Sequence, residues 1–512
     1  MTQETEGRAR GEEAGERYDY SEGFAARARV SLADPKLRGA VRFTSDNKVE
    51  ARARAMMSLK DPEGLRDLAA ELRDGVLARL DEHLERLADN WEAAGGNVFF
   101  AADAAEARDY ICSVARKHSV RLTVKSKSMA SEEIGLNQAL AAQGIEAVET
   151  DLGEWIVQLS GEHPSHIVTP ALHKTKEDVA DLFSEVAGER LPEGARALTS
   201  FARERLRQKF LEADMGVSGV NFAVSSAGAL CTVSNEGNAR MCTSLPRVHV
   251  ALMGMERVVA SWDELAVMLA LLGRSATGQK LTQYTTFLNG PRRPAELDGP
   301  DESHLVILDN GRSGILGTRY QSALRCIRCG ACLNVCPVFR QVGGHAYDPV
   351  YSGPIGAVIN PLLRDDPQAA ELAHASTLCG ACTEACPVRI PLHDLLVRLR
   401  QDYAREDAGR LEHLAYSSWS RAWSSPLGFD AFARLTSALD SVTRFASRGK
   451  VPLPIVSRWT KERSLPRIPR ASYRRARAGV RGVGGLGRRT PERRGVRGVG
   501  GLGRRTPKSS KD

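Results

Sequence analysis

Hydrophobic positions in the first part of the chain recur at helical spacing and then break into short apolar runs. Leu65, Leu68, Leu72, Val76, Leu80, Leu84, Leu87 and Trp91 form one helical stripe. Asp61 and Pro62 supply an N-cap and a first-turn proline, and Gly95-Gly96 ends the segment. Strand-like runs follow at 97–100, 121–124, 145–149 and 155–159, with helical patterns at 104–117 and 131–143 separating the first three. Further strands are expected at 221–224, 229–233 and 248–253, around Gly and Asn turns. Alternation of this kind predicts an α/β domain with a largely parallel sheet over residues 61–300. Residues 21–60 form an N-terminal extension, and the charged stretch 1–20 reads as disordered.

The segment 289–301, NGPRRPAELDGPD, is rich in Pro, Gly and charge and reads as a linker. A cysteine-rich domain follows at 310–400, and a helical C-terminal region at 401–465. Helical patterns cover 392–407 and 411–448, with Trp419, Trp423, Phe429 and Phe432 on apolar positions. Those aromatics read as a packing face rather than a cofactor box.

A chain of 512 residues exceeds what one hydrophobic core supports. Its longest uninterrupted apolar run, 265–272, is far shorter than the roughly 18 residues of a membrane span. No apolar h-region stands near the N-terminus, so a cytoplasmic location is expected, with any membrane contact peripheral and made through partners. The net charge of +8 is a property of the tail: residues 461–512 carry 17 Lys or Arg against three Asp or Glu, which leaves the rest at −6. That balance argues against specific nucleic-acid binding by the folded part. Within the tail GVRGVGGLGRRTP occurs at 479–491 and again at 495–507, and residues 466–512 are expected to be a disordered basic repeat. The repeat could touch RNA, DNA or anionic lipid, or be a tandem duplication without a role.

Seven of the ten cysteines fall between 326 and 386. The first group, Cys326, Cys329, Cys332 and Cys336, has the spacing C-x2-C-x2-C-x3-C-P. Three thiolates on so tight a turn hold three irons of one cubane, and the fourth points to the other cluster in two-cluster ferredoxins. The second group has only Cys379, Cys382 and Cys386, and its missing first position falls on Ser376. With the ferredoxin exchange, Cys326, Cys329, Cys332 and Cys386 bind one [4Fe-4S] cluster. Cys336, Cys379 and Cys382 then bind a second. Ser376, His374, water or a partner completes that second site, or it holds a [3Fe-4S] cluster instead. Zinc takes four ligands per closed site, and seven cysteines do not divide that way. A disulfide framework does not suit a reducing compartment. Cys112, Cys231 and Cys242 read as buried small apolar residues. The insert between Cys336 and Cys379 is helix-compatible over 361–376, so the module resembles the α-helical ferredoxins of respiratory enzymes.

KSKSM at 125–129, ETDLG at 149–153, PSH at 164–166, PALH at 170–173 and NEGN at 235–238 resemble the lactate-utilization (LUD) domain. Joined to the two cysteine groups, to GGHAY at 343–347 and to GPIG at 353–356, they resemble the lactate utilization B family over about residues 20–465. The resemblance implies a LUD α/β domain similar in fold to CoA transferases and ribose-phosphate isomerases, followed by an α-helical dicluster ferredoxin domain and a helical C-terminal region. It implies an iron–sulfur electron-transfer subunit in the oxidation of L-lactate to pyruvate. The implied partners are a cysteine-rich subunit and a second LUD-domain subunit.

The same resemblance opens an alternative, an acyl- or CoA-transfer enzyme using Glu236 as a carboxylate nucleophile beside structural or sensing clusters. The plainer reading makes Asn235, Gly237 and Asn238 a turn that Glu236 caps. Lys125 and Lys127 follow a strand, where they could hold a substrate carboxylate at the sheet's C-terminal edge or be solvated loop charges. No Gly-rich dinucleotide fingerprint supports NAD or flavin.

Overall fold

Six parallel strands organise the larger part of the molecule. The structure, a computed structural model, describes residues 18–446 except 348, 349, 365 and 408. It divides into two units, one ending at Glu406 and one beginning at Asp407. The expected basic tail and most of the charged N-terminal stretch lie outside the described residues.

Ten strands are formed among the described residues: β1 Asn97–Ala101, β2 Leu122–Lys125, β3 Glu146–Glu149, β4 Met215–Gly219, β5 Phe222–Val224, β6 Ala229–Ser234, β7 Val248–Gly254, β8 Val258–Val259, β9 Tyr284–Leu288 and β10 Glu302–Leu308. The main sheet has the order β1-β10-β7-β4-β2-β3, and each of its strand pairs is parallel. Val306 of β10 stands opposite Phe99 of β1 and Leu252 of β7, and both Val306 and Leu252 are fully buried. A parallel sheet covered on both faces requires such continuous apolar strands. A smaller sheet, β8-β5-β6-β9, packs beside it around the β5–β6 hairpin.

One apolar cluster runs without interruption from Leu37 and Trp91 through Phe222, Leu265 and Leu305 to Leu333 and Leu396. The α/β part and the cysteine-bearing part therefore share a core. That continuity fixes the cysteine loops against the sheet, since buried side chains at this density shift only together.

Several local expectations are corrected. Residues 155–159 are not a strand but the end of the helix Leu152–Leu159. Asp151 starts that helix by accepting the amides of Gly153 and Glu154 at 3.0 and 3.2 Å, and this cap outweighs the apolar run that read as extended. The single stripe from 62 to 93 is two helices, Pro62–Leu77 and Leu80–Ala93, parted at Arg79, where φ is −136°. The helical pattern at 131–143 is likewise interrupted by Gly135 at φ 63°. The Pro- and Gly-rich stretch 289–301 joins β9 to β10, and β10 sits inside the sheet. Arg292 and Arg247 both pair with Asp301, which folds the stretch back on the sheet.

In the second unit, the helices Arg410–Ser424 and Pro426–Ala446 meet through aromatic rings. The Trp423 ring lies 5.3 Å from that of Trp419 at a tilt of 33° and meets Phe429 edge-on at 5.1 Å.

Candidate iron–sulfur centre and adjoining cavity

The two cysteine segments fold as near copies of each other. Each has a five-residue helix, Ala331–Val335 and Ala381–Ala385, preceded by a left-handed glycine, Gly330 (φ 72°) and Gly380 (φ 83°). Each helix ends on an extended cysteine, Cys336 or Cys386. In both, the residue before the second cysteine position is also left-handed: Arg328 at φ 58° and Leu378 at φ 55°. Such backbone costs a side-chain-bearing residue about 1–3 kcal/mol and persists where its surroundings demand it. A Cβ on Gly330 would meet the His166 ring at 2.9 Å, so the loop can close on the α/β part only with glycine there.

These loops gather the sulfurs into two adjoining sets. Burial, then repulsion from Cys386 and Cys326, pushes the Cys329 thiol up to about 12. Burial raises Cys386 to about 11, and Cys326 adds to it. Cys332 is raised by burial and by Cys326 and Cys329, and it also feels Cys382 and Cys386. In the other set, burial and Cys336 raise Cys382 to about 11, and Cys379 adds to that. Thiols close enough to repel one another inside a buried pocket are costly as free thiolates. They suit a group of iron ions that takes up their charge, and seven soft sulfur donors fit iron–sulfur clusters. Arg328 donates its amide to Cys326 Sγ at 3.4 Å, and Ile390 donates to Cys386 Sγ at 3.4 Å. Backbone donors of this kind stabilise negative sulfur.

The two sets differ in exposure. In the first, Cys329, Cys332 and Cys386 are buried and Cys326 is half-buried; in the second, Cys336 and Cys382 are buried and Cys379 is exposed. The amide of Ala381 and the hydroxyl of Thr377 hold the Cys379 thiol below its usual range. Ser376 stands two residues before Leu378 and accepts its amide. His374 is exposed, and the protein around it, with Arg400 adding to the effect, lowers its ring below the usual range. Tyr347, fully buried in the GGHAY segment, hydrogen-bonds Cys336. Basic residues of the N-terminal helices also face this region: Arg52 donates to the carbonyl of Ala385 and Arg66 to that of Cys386, both at 2.9 Å. Spacing of the cysteines carried no sign of Tyr347, Arg52 or Arg66. Cys112, Cys231 and Cys242 lie apart, buried in the α/β part.

A cavity of about 350 Å³ opens at the carboxyl ends of β4 and β7, where Gly219 and Gly254 line it. This is the edge at which open α/β sheets bind ligands. Its far wall is Arg328, from the loop between Cys326 and Cys329, and Tyr351. The Arg328 guanidinium lies 4.2 Å over the Tyr351 ring. Arg312 is held by Glu133 through two hydrogen bonds of 2.8 and 2.7 Å and by Glu256 at 2.8 Å. Burial opposes ionisation of Glu256, but Arg312, Arg257 and Arg328 outweigh it and hold the carboxyl down at about 2.

The sequence-predicted residues of the α/β part divide around this cavity. Glu236 and Lys127 line it; Lys125 does not. Lys125 is 1% exposed, and its ammonium is taken by Ser131, Glu132 and Glu149 at 2.8, 2.7 and 2.7 Å. Lys127 pairs with Glu154 at 2.6 Å. Glu236 stays open to solvent at the cavity mouth, where its carboxylate accepts the amide of Leu152 at 2.9 Å. The protein packed around it desolvates the carboxyl and, with Asp151 repelling it, raises it to about 7. Elsewhere Glu162, His173 and His345 bring their ligand atoms within 4.8 Å of one another, but the Lys174 ammonium already sits 2.5 Å from Glu162.

Known proteins resemble this chain along most of its length. The LUD domain family matches residues 84–308, and the 4Fe-4S dicluster domain matches 322–390. Lactate utilization protein B of Bacillus pumilus is 48% identical over 456 residues, covering 88% of this chain and 96% of that protein. Its counterpart in Bacillus licheniformis is 47% identical over 458 residues, with 88% and 95% covered. A crystal structure of a DUF162 family protein from Deinococcus radiodurans aligns at 12% identity and a TM-score of 0.26, covering 45% of this chain and 98% of that one. With relatives this similar over nearly their full length, and with both domains present in order, the chain belongs to the lactate utilization protein B family.

Proposed function

We propose that this chain is the electron-carrying subunit of a system that oxidises L-lactate to pyruvate. The observation that carries the reading is the position of the cysteine sets: the one with Cys326 and Cys329 adjoins the cavity through Arg328, and the other reaches the surface at Cys379. Cys326, Cys329, Cys332 and Cys386 would hold one [4Fe-4S] cluster, and Cys336, Cys379 and Cys382 the second. Oxidation of one lactate to pyruvate releases two electrons and two protons, and two bound clusters supply one-electron carriage for that pair. The surface-reaching set would face the partners, a cysteine-rich subunit and a second LUD-domain subunit, in the cytoplasm.

The chain's own residues shape this route. Arg52, Arg66 and Arg257 direct hydrogen bonds to carbonyls of the cysteine segments, which places positive charge beside electron-accepting centres. Such charge stabilises the reduced state. Glu236, near 7 at the cavity mouth, suits a group that takes or gives a proton at neutral pH. The acyl-transfer reading needs it as a fully ionised nucleophile, and burial with Asp151 works against that.

The test is anaerobic. The reconstituted chain is mixed with both partner subunits and L-lactate while cluster absorbance is followed. Bleaching that requires lactate and the partners supports the reading. Clusters that dithionite reduces but lactate with partners never does would overturn it, above all if Glu236→Gln abolished an acyl exchange.

A further inference from the structure

The inner wall of the cavity holds more positive than negative charge. Three guanidinium groups, of Arg257, Arg312 and Arg328, meet two carboxylates, Glu133 and Glu256. Four of the five side chains are buried, and Arg257 is 12% exposed. Arg312 uses both carboxylates at hydrogen-bond distance. Arg257 gives Nη1 to the Cys326 carbonyl at 3.2 Å, and the carboxylate oxygen left for it and Arg328 is Glu256 Oε1, at 3.7 Å from Arg257 and 3.6 Å from Arg328, too far for a hydrogen bond. Arg328 Nη1 is buried with no hydrogen-bond partner. A buried guanidinium left in that state calls for an anion.

Two anions are chemically available. One is the charge of an iron–sulfur cluster on Cys326 and Cys329, which flank Arg328. The other is a ligand in the cavity. A second, uncharged group favours the ligand: Thr232 Oγ1, on β6, also lines the cavity, is buried and has no partner. A hydroxyl brings no charge to set against a cluster's, but it pairs readily with a carboxylate or hydroxyl. The mouth of the cavity, by contrast, carries two carboxylates, Asp151 and Glu236, against one ammonium, Lys127, which Glu154 already holds at 2.6 Å. A small acid entering this gradient would turn its carboxylate inward and its substituted carbon outward.

We propose that Arg328, with Arg257 and Thr232, forms a binding site for the carboxylate of a small 2-hydroxy or 2-oxo acid, set against the loop that carries Cys326 and Cys329. The proposal rests on the lactate reading above and deepens it, because it puts the organic acid on this chain beside the first cysteine set. Arg328 would be fixed for the purpose by its stack on Tyr351 and by its left-handed backbone. The cavity is larger than a three-carbon acid needs, so the inner wall rather than overall shape would set the affinity.

Equilibrium dialysis of the reconstituted full chain against labelled pyruvate and L-lactate, without partners, tests it. The expected result is saturable binding that Arg328→Gln weakens about ten- to a hundredfold, as for loss of a charge-assisted hydrogen bond, with iron content unchanged. Thr232→Val should weaken it about three- to tenfold. Arg328→Lys, which keeps the charge but not the fork, and Thr232→Val keep the test decisive if Arg328→Gln folds poorly. Wild-type-like affinity in Arg328→Gln with a shifted cluster potential would overturn the proposal, assigning the guanidinium to the cluster alone. No saturable binding by the wild type would overturn it too. Lactate-dependent cluster reduction in the full three-subunit mixture would still stand in either case, so failure here is separable from failure of the electron-carrier reading.

Discussion

Ser376 occupies the place in its loop that Cys326 occupies in the other. Cys326 Sγ accepts the amide of Arg328 two residues on at 3.4 Å, and Ser376 Oγ accepts the amide of Leu378 two residues on at 3.1 Å. Arg328 and Leu378 share a left-handed backbone, and a cysteine and a left-handed glycine follow each. The serine oxygen thus sits where a fourth sulfur ligand would, on a backbone already bent to present it.

The parallel predicts a graded iron content. Wild-type and Ser376→Cys proteins should both reconstitute with about eight irons per chain, and Ser376→Ala with about seven, two cubanes against one cubane and a three-iron site. Anaerobic iron analysis with EPR of the oxidised protein checks this. A three-iron signal already present in the wild type and abolished by Ser376→Cys would show that the serine only caps the turn.

Exchange of the last cysteines between sets makes a second prediction. Cys386 lies close enough to Cys329 to raise its thiol and is itself raised by Cys326, whereas Cys336 and Cys379 act on Cys382. Cys386→Ala should therefore disturb the buried cluster, and Cys336→Ala the surface one. Mössbauer spectra of the two variants should lose different components. Loss of the same component in both would contradict the exchange.

Arg312 should matter for stability out of proportion to its distance from the sulfurs. Its removal leaves Glu133 and Glu256 buried without their main cation. Arg312→Gln should cost about 3–5 kcal/mol, the usual penalty for breaking a buried ion pair from one side. Urea unfolding under anaerobic conditions measures it, and a loss below about 1 kcal/mol would mean that water reaches the pair.

Glu236 supplies a pH prediction with a definite sign. Its carboxyl is raised from 4.5 in the unfolded chain to about 7 in the folded one. Between those values the folded state binds more protons, so this group's contribution to stability falls as pH rises. Glu236→Gln should gain on the wild type in unfolding midpoint at pH 8, and the gain should vanish below pH 4.5. An equal difference at both ends would contradict the raised value.

Much of this was legible in the sequence, and what was not has physical causes. The cysteine spacing is a local signal, because three of the four ligands of a cubane follow one tight turn. The strands at β1, β2, β3, β5, β6 and β7 were visible as β-branched and apolar runs. Strand β4 was hidden because Gly216 and Gly219 break the pattern. A Cβ on Gly216 would fall 1.8 Å from the carbonyl of Cys242, so the neighbouring helix requires the glycine. Strand β10 was hidden behind the Pro-rich stretch before it. The arginines at the cavity were unreadable for another reason: Arg257, Arg312 and Arg328 come together only through the fold, and a lone arginine in a sequence looks like surface. Arg328 alone left a trace, as the charged residue inside C-I-R-C.

The most direct test of the account is an EPR-monitored redox titration of the anaerobically reconstituted full chain, with iron and acid-labile sulfide counted on the same sample. The account predicts sulfide matching iron and two separate one-electron reductions, one for each cysteine set. A protein that binds about two zinc ions, carries no sulfide and accepts no electrons would contradict it.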